Sequence, residues 1–96
     1  MIVLSYVKQP TQIDIIDKLK HVLSGSLSRE EFSIWAYRWV ENFDNRNQLS
    51  SIENEVHSNL IFLLAIDLEI EPTVYFHGDE EIAEWIGEVK KGKPLS

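Results

Sequence analysis

The side chains best suited to acid–base or metal chemistry in this chain are His21, His57 and His77, set among 16 Asp+Glu. No cysteine is present, which removes a thiolate nucleophile, a cysteine zinc site and any disulfide framework. Glu53 and His57 are four residues apart and share a helix face. Two ligands do not hold a metal, and an i,i+4 surface contact is the simpler reading. With neighbouring acids they carry a further hypothesis, a small carboxylate-metal hydrolase. His77 lies between an apolar run and an acidic helix start, and reads as a loop residue touching Asp79 or Glu80. The serines form no strand–Ser–helix elbow, and no glycine loop cradles phosphate. Carboxylate pairs abound, but a helical bundle of 96 residues leaves little room for a substrate cleft of ~300 Å³. The expectation is a protein without catalysis, metal or cofactor.

Charge is distributed unevenly. Nine Lys+Arg leave a net −7 and a pI near 4.8, which disfavours direct contact with DNA, RNA or anionic lipid. From Asn47 to Val89 there is no Lys or Arg, and that stretch alone carries a formal −10. On the last helix Glu80, Glu84 and Glu88 recur every four residues, a spacing that costs about 0.2–0.5 kcal/mol per like-charged pair. Such self-repulsion suits a surface whose counter-charges come from another molecule.

The elements that position these residues are helical. Apolar positions Ile13, Ile16, Leu19 and Leu23, widened by Ile15 and Val22, predict an amphipathic helix over Pro10–Ser24, closed by Gly25. Ser28 and Glu31 form a capping box before Phe32, Trp35, Ala36, Trp39, Val40 and Phe43, the broad aromatic face expected to centre the core. Ile34 and Tyr37 point outward on that helix. Ser50 and Glu53 offer a second box, followed by Ile52, Val56, Leu60, Leu63 and Leu64. Asp67–Pro72 and Thr73–His77 read as an extended connector, with pairing of residues 2–7 and 73–77 as a minority outcome. Asp79 then caps a last helix buried through Ile82, Trp85, Ile86 and Val89 and stopped by Gly92 and Pro94. The fold class predicted is all-α: residues 1–96 as a single helical domain, a bundle of four helices. Residues 1–9 stay unassigned. The longest apolar run, Leu60–Ile66, is too short to cross a bilayer, and Met1–Leu4 lacks a signal peptide's basic start, so a cytoplasmic location is expected.

Leu23-Ser24-Gly25, Ser28-Arg29-Glu30-Glu31, Trp35-Ala36 and Tyr75-Phe76-His77-Gly78-Asp79-Glu80-Glu81, followed by Trp85-Ile86, carry a likeness across residues 19–90. The chain resembles small cytoplasmic immunity proteins of bacterial polymorphic-toxin and contact-dependent growth inhibition systems. That resemblance implies a toxin inhibitor that neutralises one cognate toxin domain through a 1:1 protein–protein contact. The acidity points to a basic, nucleic-acid-cleaving toxin, held by Glu69, Glu71, Asp79, Glu80, Glu84 and Glu88 with Tyr75 and His77 as anchors. Direct binding to nucleic acid or membrane is not expected. The alternative is an adaptor or structural module that self-associates or binds a basic protein.

Overall fold

Helix starts are written into this chain as hydroxyl–carboxylate pairs, and the computed structural model, which describes residues 8–95, builds helices on three of them. Helix α1 spans Gln12–Ser24 behind Thr11 and Asp14, α2 spans Arg29–Asp44 behind Ser28 and Glu31, and α3 spans Ser51–Leu63 behind Ser50 and Glu53. Each is a reciprocal capping box. The Thr11–Asp14 pair was not foreseen and moves the start of α1 two residues past Pro10. Helix α4 spans Asp79–Lys90; its N-cap is Gly78 rather than the expected Asp79.

The boxes set an acid limit on stability. Backbone N–H donation from Ser28, then its hydroxyl, holds the Glu31 carboxyl below its ordinary value of 4.5. Ser50 N–H does the same for Glu53, followed by Gln9 and the Arg46 charge. A depressed carboxylate pKa means the unfolded chain binds more protons, so this stability is present above about pH 4.5 and drains as pH falls through the folded values. Urea midpoints taken from neutral pH downward are expected to fall first in that window. Glu31→Gln/Glu53→Gln should flatten that acid limb.

The helices run up, down, up and down. Arg46, just past the end of α2, reaches Glu53 at the start of α3 at 2.8 Å, while Ser33 near the start of α2 reaches the Leu64 carbonyl. Buried Asn59 joins Gln12 at the start of α1 to the Leu95 amide beyond α4, so α1 and α4 are antiparallel as well. Ile15, Leu19, Phe32, Phe43, Leu60, Leu63, Ile66 and Ile82 are fully buried between them. Ile13 and Ile52, expected in the stripes, are 69% and 70% exposed. Both stand in first turns, short of the depth at which Ile15 and Val56 are covered.

After α3 the chain tightens into a 3-10 turn, Leu64–Asp67, and then folds back on itself. Strand β1, Glu69–Glu71, pairs antiparallel with β2, Val74–Tyr75, with a bulge at Ile70. The connector therefore closes locally as a hairpin; residues 2–7, its minority partner in the sequence reading, lie outside the described residues. The Pro72–Thr73 turn puts Thr73 at φ 68°, where a β-branched side chain is strained, and the Glu69 carboxylate accepts its N–H at 2.6 Å. Thr73→Gly is expected to raise stability by up to ~1 kcal/mol, read as a higher urea midpoint.

Candidate functional site

Arg29 is the buried cation around which one end of the bundle is assembled. Its position follows from register: Arg29 lies three residues before Phe32 and seven before Ala36, on the buried stripe of α2. With its side chain only 9% exposed, it donates through Nη1 to the carbonyls of Ile66 (3.2 Å) and His77, and through Nη2 to Asp79 Oδ1 at 2.9 Å. The guanidinium also lies 4.3 Å from the centre of the Tyr75 ring. One fork thus binds the end of α3, the hairpin and the start of α4 to α2. The sequence reading did not single out Arg29, although its place on the α2 stripe was the signal.

The residues expected to bind a partner gather here only in part. Tyr75 donates to Glu30 at 2.7 Å, and that hydrogen bond raises the tyrosine pKa above its ordinary 10. His77 Nδ1 sits 3.0 Å from Glu81, not against Asp79 or Glu80, and its ring meets Trp85 edge-on at 5.1 Å. Tyr75, His77 and Asp79 therefore each make a contact within the chain, Asp79 from a side chain that stays 75% exposed. Glu69, Glu71 and Glu80 are exposed at the same end, interleaved with Leu68, Ile70, Val74 and Phe76, which are also exposed. Glu84 and Glu88 lie one and two turns further along α4, and neither has an ion-pair partner among the described residues. Glu53 and His57 do not meet: Glu53 holds Arg46, and His57 Nε2 lies 2.8 Å from Asp44. No cluster of three or more potential metal ligands occurs among the described residues.

Cations collect elsewhere. Arg29 and Arg46 are spent on ion pairs, whereas Lys8, Lys20, Arg38, Lys90, Lys91 and Lys93 are exposed and form none among the described residues. Lys8 precedes α1, and Lys90, Lys91 and Lys93 close and follow α4. The antiparallel packing therefore puts these four at the end of the bundle remote from the hairpin. Beside Lys8, a groove of about 330 Å³ runs between α1 and α2, lined by Lys18, His21 and the half-buried Trp35 and Trp39. Lys18 Nζ rests 4.9 Å over the Trp35 ring. The sequence reading assigned both tryptophans to the core; they lie instead at its border, on the edge of a stripe centred on Phe32, Ala36, Val40 and Phe43.

A family model described as YxzC DNA-binding protein matches residues 3–89, and the chain belongs to this family. An uncharacterized protein YxzC of Bacillus subtilis (strain 168) is 34% identical over 89 residues, covering 88% of this chain and 70% of the relative. No solved structure matches the chain. The family membership overturns the resemblance to immunity proteins, the toxin-neutralising function and toxin partner that came with it, and the exclusion of nucleic acid. The misreading has a structural cause. The residues that carried it are the Gly25 cap, the Ser28–Glu31 box, buried Ala36 and Trp85, and the Tyr75 and Asp79 contacts. Those features specify how the chain folds, whatever it binds. No helix among the described residues is long and apolar enough to cross a membrane.

Proposed function

We propose that this member of the YxzC family binds DNA, without catalysis of its own, through the lysines that form no ion pair among the described residues, and works inside the cell where DNA is found. The match of the family model across residues 3–89 is the observation that carries this reading. The net −7 constrains how it works rather than whether it does. Charge counts over the whole chain act at long range and slow approach to a polyanion, whereas phosphate contacts are made at a few angstroms by particular side chains. Lys8, Lys90, Lys91 and Lys93 share one end of the bundle, and the hairpin carboxylates stand at the other. The protein would dock by these lysines, with Glu55 beside the segment that follows α4, and hold the hairpin carboxylates away.

The expected binding is modest in affinity and steep in salt. Each phosphate contact contributes about 0.9 to the slope of log affinity against log salt on duplex DNA. Lys90→Gln/Lys91→Gln/Lys93→Gln should lower that slope by up to about 3 and weaken binding roughly tenfold per lost contact near 0.1 M salt. Fluorescence anisotropy with labelled DNA measures both. No binding of either duplex or single-stranded DNA at about 50 mM salt would end this reading.

A further inference from the structure

We infer that the groove between α1 and α2 receives unpaired bases, so that the DNA bound is single-stranded, its bases stacking on Trp35 and Trp39. The inference rests on the DNA-binding reading and narrows its ligand. Each indole is braced from the core side by a phenyl ring: Trp35 meets Phe32 edge-on at 5.5 Å, and Trp39 tilts against Phe43 at 6.1 Å. Both are half-buried and both line the open groove. They are four residues apart on α2, hence about 6 Å apart along its axis. That is wider than the spacing of stacked bases in a duplex, whose faces are covered by their neighbours. Two bases splayed from a single strand can each offer a face, and stacking tolerates any sequence.

The charges at the groove are balanced. Lys8 and Lys18 flank the indoles, and the Lys18 ammonium now over Trp35 can turn to a phosphate when a base takes its place. Asp14 and Asp17 also border the groove, but the Asp14 carboxylate is already held by the Thr11 N–H and hydroxyl. A site with two lysines against two aspartates gains little from charge alone, so base stacking must supply most of the binding. The net −7 further favours a single strand, whose charge density is lower than that of a duplex.

Anisotropy titration of the full chain with a labelled oligothymidylate of about 16 nucleotides, and with a mixed-sequence duplex of the same length, tests this directly, with tryptophan emission followed in parallel. The single strand is expected to bind at least tenfold tighter and to quench the indole emission. Trp39→Leu should weaken it roughly 5- to 100-fold, while Trp39→Phe keeps most of the affinity. Circular dichroism and melting of both variants show whether the fold is intact. Should Trp39→Leu unfold, quenching of the unaltered protein and the Lys18→Gln variant still decide. Equal or tighter binding of duplex, with unquenched emission, overturns the inference and leaves DNA binding standing. Absence of binding to both nucleic acids overturns both.

Discussion

Arg29→Ala is expected to lower the melting temperature by roughly 10–25 °C, one of the two largest effects of any single substitution considered. Arg29 gives three directed hydrogen bonds from a side chain that is almost wholly covered. Its removal leaves the Ile66 and His77 carbonyls without their cationic donor where the chain turns from α3 into the hairpin and from the hairpin into α4. Hydrogen bonds to a charged group contribute about 1.5–3 kcal/mol each, and the truncated side chain lets some water in, so a net loss of about 2–4 kcal/mol is expected. Asp79 adds little to this sum. Its side chain is 75% exposed and recovers water once the guanidinium is gone. Asp79→Ala should therefore cost under about 1 kcal/mol, and a double-mutant cycle should assign most of the Arg29 effect to the carbonyls. Arg29→Lys should recover only part, since one ammonium cannot span the fork's acceptors. Thermal melts followed at 222 nm measure all four variants, the double mutant included. A loss below about 3 °C for Arg29→Ala would mean that the hairpin and α4 are held by apolar packing alone.

The same residue shows where the sequence was legible and where it was not. Local signals carried through: the Ser28–Glu31 and Ser50–Glu53 boxes, the Gly25 cap and the Ile82–Val89 stripe stand where their spacing put them. They depend on neighbours within one or two turns. Contacts between elements were hidden, because they depend on which helices lie side by side. His57 was matched with Glu53 on its own helix but is seated by Asp44 of α2; Glu53 is drawn off by Arg46. Charge misled for a related reason. The deficit of cations from Asn47 to Val89 is real, yet it describes a stretch of sequence and not the surface that the packed helices present. Lys8, Lys90, Lys91 and Lys93 share one end of the bundle only because α4 returns its end to the start of α1, a consequence of topology that no window of sequence contains.

Phe32→Ala should cost about 3–5 kcal/mol, enough to take most of the stability of a domain of this size. Phe32 is 0% exposed and stands where α2 faces the rest of the core, and its ring meets that of Trp35 in a T-shaped contact at 5.5 Å. A cavity of that size cannot close without moving α2, which touches the turn before the hairpin and carries both indoles of the groove. The variant is expected to show a strongly lowered or non-cooperative melt, whereas Ile13→Ser, at a side chain 69% exposed, should stay within about 0.5 kcal/mol of the parent. Phe32→Leu separates structure from binding. It keeps most of the volume and should cost no more than about 1.5 kcal/mol, but it removes the aromatic edge behind Trp35. A protein that still melts cooperatively while losing affinity for single-stranded DNA would show that the core ring sets the groove. Unchanged affinity, with the Trp35 emission undisturbed, would mean that the indole is positioned by α2 alone.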